Sequence, residues 1–196
     1  MILPIVAYGS SVLRKECDEI EENADISSLI DNMFETMYAA KGVGLACPQI
    51  GQAIRMFVVD AAPFSEEEAK NEEEANNLEI LKNFKKVFVN PIIEEESGKD
   101  WPFSEGCLSI PGIREDVTRK GIIHISYYDE NWNYHEDVFS GIAARIIQHE
   151  YDHIEGVLFT DHLNPLKRRL LKRKLVDISK GKVDVDYKMK FASKKK

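Results

Sequence analysis

Apolar residues recur along this chain in two rhythms, one helical and one strand-like. Between Ile26 and Tyr38, Ile26, Leu29, Ile30, Met33, Phe34, Met37 and Tyr38 fall at steps of three and four, which predicts an amphipathic helix that Gly42 would stop. From Gly141 to Ile154 the rhythm returns, with Ile142, Ile146, His149 and His153 on one stripe. A last helix is predicted from Asn164 as N-cap, with Pro165 in the first turn, Leu166, Leu170, Leu171, Leu175 and Ile178 turned inward, and an end near Gly181. Strand-like runs occupy Ile54 to Val59, Lys86 to Val89, Ile92 to Glu95, Ile113 to Arg119, Gly121 to Tyr128 and Tyr134 to Phe139, the last two joined by a hairpin through Asp129 to Asn133. Neighbouring runs favour antiparallel pairing. The expected fold class is therefore α+β, with antiparallel sheets packed around the helix from Gly141 and a further helix at the C-terminal end.

Between these elements, Gly42 to Gly51 (GVGLACPQIG) carries glycines and a proline that argue against regular structure and for a shaped loop. Residues 61–77 are rich in Glu, Ala and Asn and poor in large apolar side chains, so they read as an acidic surface insertion, either a solvated helix or disordered. Residues 190–196 read as a flexible tail. There is no internal repeat, and 196 residues with 43% hydrophobic content suit one domain.

Composition narrows the setting. Pro4 and Gly9 cut the first apolar run well short of a membrane span, no later run is longer, and no basic region marks a signal peptide, so a soluble protein is expected. Three cysteines, Cys17, Cys47 and Cys107, give no secreted disulfide framework and fit a reducing compartment, the cytoplasm by default. The net charge of −8 is unevenly spread. Acid gathers between Glu66 and Glu74, and base in Lys167, Arg168, Arg169, Lys172, Arg173 and Lys174, where a solvated helix face is the simplest reading.

The strongest chemical signal is His149-Glu150-Tyr151-Asp152-His153. A helix places residues four apart on one face, so both imidazoles can reach one cation, and Glu150 beside them can take a proton from a polarised water and return it to a leaving amine. Two histidines leave a site incomplete. A metzincin would supply a third histidine where this chain has Phe159, and a thermolysin-like site needs a downstream glutamate, but no Glu follows Glu155. The remaining candidate is Cys107 in Glu105 to Gly112, whose thiolate would complete a three-ligand site open at a fourth position. Its alternative is a small buried hydrophobe, the ordinary fate of one cysteine. A metallopeptidase and a noncatalytic fold with a structural metal are the rival functions.

Three segments, Gly42 to Gln49, Glu105 to Ser109 and Gln148 to His153, resemble in order and spacing the signature motifs of peptide deformylases. The resemblance implies a metallohydrolase that removes the formyl group from the N-terminal methionine of nascent chains. It implies that Cys107, His149 and His153 hold one divalent cation, usually Fe2+ in the cell, with Zn2+, Ni2+ or Co2+ as substitutes. Glu150 would be general base and acid, and Gln49 and the Leu108 N–H would be donors to the formyl oxygen. Gly44 would pair its backbone with an extended peptide, while Val43, Leu108, Ile142 and Ile146 would line a methionine pocket. Glu105 and Arg145 would hold the ligand loop and helix in place. A monomer that acts on N-formylmethionyl peptides, with ribosome contact through the basic helix, is the expected physiological form. Three features depart from the family pattern. Cys47 stands where alanine is usual, Ser10-Ser11 where a proline is often found, and residues 61–77 have no counterpart. Cys47 is expected to be a partly buried, neutral thiol, neither ligand nor nucleophile.

Overall fold

The computed structural model describes residues 1–66 and 72–192. Strands β2 (Gly44–Ala46), β3 (Met56–Asp60), β4 (Lys85–Cys107), β5 (Ile110–Tyr128) and β6 (Tyr134–Ser140) form one antiparallel sheet in that order. A separate parallel pair joins β1 (Ile5–Val6) to β7 (Met189–Lys190). The helices are α1 (Ser27–Ala39), α2 (Glu72–Lys82), α3 (Gly141–Ile154) and α4 (Pro165–Ser179).

Strand β3 shows how the layers are built. Its residues alternate between faces, and Met56, Phe57, Val58 and Val59 are all fully buried. Phe57 and Val59 join Ala143, Ala144, Ile146 and Ile147 of α3, whereas Met56 and Val58 join Ile30, Met33, Phe34 and Met37 of α1. The sheet thus lies between two helices, and α3 is enclosed rather than amphipathic at a surface. A third cluster packs Leu171, Leu175 and Ile178 of α4 against Val6, Leu13, Cys107 and Phe159.

Helix α3 ends where Gly156 takes a left-handed φ of 71° and approaches Arg14 so closely that a Cβ would lie 2.8 Å from its carbonyl carbon. Helix α4 starts as expected, with Asn164 Oδ1 accepting from the Lys167 N–H at 2.9 Å.

Several expectations need correction. Leu166 and Leu170 are 68% and 72% exposed, because the inward stripe of α4 runs through Leu171, Leu175 and Ile178. Gly42 to Gly51 contains regular structure, namely β2 and a 3₁₀ turn over Cys47–Ile50. The 61–77 stretch is not wholly a surface feature. Ala61 is fully buried, and Phe64, in a 3₁₀ turn over Ala62–Glu66, packs against the α3 core. Residues 67–71 of that stretch lie outside the described residues. Lys190 pairs with Val6 instead of trailing free, while residues 193–196 of the expected tail are also outside the described residues. Among the described residues, no helix is long and apolar enough to cross a membrane.

Candidate metal centre

Two parts of the chain, distant in sequence, meet at the floor of a cleft of about 770 Å³. Strands β4 and β5 form a long hairpin in which Cys107 pairs with Ile110, leaving Leu108 and Ser109 as its two-residue tip. Helix α3 passes beneath that tip and presents His149 and His153 one turn apart. The donor atoms of Cys107, His149 and His153 lie within 4.8 Å of one another, with Cys107 Sγ 3.3 Å from His153 Nε2.

The donor set fits a transition-metal ion. His149 Nδ1 faces Glu105 Oε2 at 2.9 Å, which leaves its Nε2 for the centre. Glu105 is itself held by Arg119, through Nε at 2.7 Å and Nη2 at 3.0 Å, and by Arg145 Nη1 at 2.9 Å. Arg145 also donates to the Val117 carbonyl at 2.9 Å and to the Trp101 carbonyl, while Arg119 bridges to Asp152 at 2.8 Å. Burial alone would raise the Glu105 pKa, but hydrogen bonds from His149 and Arg119 hold it well below the usual carboxylate range. Burial likewise opposes ionisation of Cys107, yet His153 and His149 prevail and bring the thiol down to about 5. His149 is raised well above its ordinary value against the effect of burial, through Cys107 and Glu105. Both shifts arise from mutual attraction between sulfur and imidazole, and a cation bound there would take the place of the ligands' protons.

Glu150 is 4% exposed and its Oε2 has no hydrogen-bond partner among the described residues. Burial pushes its carboxyl up to about 7, with the two histidines pulling the other way and Cys107 and Glu105 adding to the rise. The close approach of Gly44 explains a glycine there, since a Cβ would lie 2.3 Å from Glu150 Oε1. Gln49 is fixed by its own loop. Its Oε1 accepts from the Ala46 N–H at 2.8 Å, which turns Nε2 towards Cys107 Sγ and Ser109 Oγ, each at 3.4 Å.

Val43, Gly44, Gln49, Leu108, Ile146 and Glu150 all line the cleft, together with Cys107 and His149. Ile142 does not. It packs partly buried against the α3 core, one turn behind Ile146. Cys47 is fully rather than partly buried, 3.5 Å from Met33 Sδ, and burial raises its thiol well above the ordinary value, so it stays neutral. Sequence reading missed Arg119, although alternation along β5 places it on the same inward face as Ile113 and Val117. It also missed Phe64 and Phe103, which line the cleft with ring centroids 6.2 Å apart, and Asp184 to Tyr187, which carry no motif.

A carboxyl group able to exchange protons near neutrality, set beside a cation site in an open cleft, is what a metal-dependent hydrolase requires. Comparison with known proteins narrows that class. The chain belongs to the polypeptide deformylase family, whose sequence profile matches residues 2–169. It is 56% identical to a peptide deformylase of Christiangramia forsetii over all of this chain and 99% of the relative. It is 54% identical to one from Flavobacterium psychrophilum, with both chains covered in full. The crystal structure of a Legionella pneumophila peptide deformylase superposes with a TM-score of 0.75 at 34% identity, covering 93% of this chain and 98% of that one. A Plasmodium falciparum peptide deformylase gives 0.76 at 34% identity, over 90% and 95%.

Proposed function

We propose that this chain hydrolyses the N-formyl group from the N-terminal formylmethionine of nascent polypeptides, releasing formate. The observation that carries the reading is the convergence of the Cys107, His149 and His153 donors at a cleft lined by Cys107, His149 and Glu150, in a member of this family. Cys107, His149 and His153 would hold one divalent cation, which supplies Lewis acidity to water and to the formyl carbonyl. Iron(II) is the proposed cellular metal, although zinc, nickel or cobalt also suit the donor set.

The remaining chemistry belongs to the protein. Glu150, raised by burial into the neutral range, takes the proton of the attacking water and passes it to the methionyl nitrogen as the C–N bond breaks. Gln49 Nε2, oriented through its bond from Ala46, and the Leu108 N–H are the donors to the oxygen on which negative charge develops. Strand β2 is the edge of the sheet, so an extended peptide can add beside Gly44. Val43, Leu108 and Ile146 form the methionine pocket, with Ile142 behind it. Glu105, Arg119 and Arg145 keep His149 in its ligating orientation.

The test is anaerobic purification with metal analysis, then formate release from formyl-Met-Ala. Glu150→Gln should keep its metal and lose roughly 10²–10⁴-fold in turnover, and normal turnover by that variant would refute the role.

A monomer working in the cytoplasm is the form we propose, in keeping with three free, buried cysteines. Ribosome contact is proposed through α4, where Arg168, Arg169, Lys172, Arg173 and Lys174 are exposed beside Leu166 and Leu170. Co-sedimentation with ribosomes that survives neutralisation of those five charges would remove this part.

A further inference from the structure

The segment after α4 lies beyond the residues matched by the family profile, yet it returns to the cleft. Its anchor is the β1–β7 pair, in which the Ile5 and Ala7 N–H groups donate to the carbonyls of Lys188 and Lys190 at 2.9 and 2.8 Å. The residues just before that anchor, Asp184 to Tyr187, form part of the cleft wall. Asp186 meets Lys41 of the facing rim at 2.6 Å, and the Tyr187 hydroxyl donates to the Leu108 carbonyl at 2.8 Å. The Tyr187 ring packs against the cluster that contains Met37 and Leu45.

Leu108 sits at the tip of the β4–β5 hairpin, next to Cys107. A two-residue tip is free to rock unless its own polar groups are held. Here both outward carbonyls are engaged, Leu108 by Tyr187 and Ser109 by the Tyr8 N–H at 2.9 Å. From the other side the Leu108 side chain rests on Gly42, where a Cβ would come within 2.8 Å of its Cδ1. Both carbonyl holds trace to the β1–β7 pair, since Tyr8 lies two residues after β1 and Tyr187 two residues before β7.

We propose that Tyr187 is a positioning residue for deformylation: its hydroxyl, braced by the β1–β7 pair, fixes the backbone of Leu108 so that the Leu108 N–H points at the formyl oxygen. The proposal deepens the reading given above and rests on Leu108 being a donor to that oxygen. Tyr187 acts only through Leu108, so its removal should weaken transition-state stabilisation and spare ground-state binding.

The variant is Tyr187→Phe, which keeps the ring and deletes the hydroxyl. On formyl-Met-Ala, kcat should fall by roughly 3- to 10-fold, the scale of one hydrogen bond, with KM and bound metal unchanged and the thermal midpoint lowered by only a few degrees. Independently of turnover, hydrogen exchange at the Leu108 amide should be faster in the variant. An unchanged kcat, a loss confined to KM, or unaltered exchange overturns the proposal. Gln49→Ala, read on the same substrate, separates the two levels of failure. A large loss there with none in Tyr187→Phe removes Tyr187 alone, whereas no loss in either removes the oxyanion reading beneath it.

Discussion

Gly44→Ala isolates the contact between strand β2 and the proposed general base. Gly44 has no left-handed φ, so alanine is acceptable to the backbone, and the only penalty is steric. The added methyl carbon would lie 2.3 Å from Glu150 Oε1, 2.7 Å from Cδ and 2.8 Å from Cγ. Ordinary contact begins near 3.4 Å, so the carboxylate must retreat by about 1 Å. It cannot do so by a rotation of the terminal oxygens alone, because Cγ is also too close. A displacement of that size costs roughly 100-fold in rate, or ~2.7 kcal/mol in barrier. The three nearest atoms the methyl group would meet all belong to Glu150, so metal content should be unchanged. The assay is steady-state formate release from formyl-Met-Ala with kcat and KM resolved, alongside metal analysis and a thermal melt. A kcat near wild type, or a loss carried wholly by KM, would refute the claim that Gly44 makes room for the base, the second outcome assigning it to peptide pairing alone.

Cys107→Ala should abolish both bound metal and turnover, and stoichiometric metal in that variant would end the three-donor reading. Cys47→Ala should retain metal and turnover and lose about 1 kcal/mol of stability in a denaturant titration; loss of metal would show that Cys47 touches the site. Glu105 supplies a pH test. Its folded pKa lies below the ordinary 4.5, so the stability it contributes is present in full above that value and lost progressively as pH falls from there through its lowered folded value. The wild-type thermal midpoint should drop below about pH 4.5, and Glu105→Gln, already less stable at neutral pH because Arg145 loses its carboxylate partner and Arg119 keeps only Asp152, should show a shallower drop. Parallel pH curves for the two proteins would sink that assignment.

Helix α3 could be read from sequence almost residue for residue, because four-residue spacing places Ile142, Ile146, His149 and His153 together however the rest folds. For helix α4 the expected ends hold, and so does the inward stripe of Leu171, Leu175 and Ile178. Leu166 and Leu170, expected on the same face, are exposed, since Leu170 is one position from Leu171 and one position on a helix turns a side chain by about 100°. Strand β4 looked like two short runs because its register shifts between Val89 and Ile92, Ile93 and Glu95, and Ser97 and Asp100 break the alternation. The three cation donors were legible through motif and resemblance. Their support was not, since Arg119 stands opposite Trp101 and meets Glu105, four positions along that strand, only in the folded hairpin. Asp184 to Tyr187 gave no signal at all, because their place is set by Ile5 and Val6 at the other end of the chain.

That last pairing orders events in time. Synthesis runs from the N-terminus, so the hairpin bearing Cys107 and the helix bearing its histidines emerge before Met189 can dock against Ile5. A chain still being translated therefore carries these donors before one side of the groove above them exists. Completion of the cleft wall waits on the β7 segment, and a copy clipped before Tyr187 would keep the Cys107, His149 and His153 donors while losing that side.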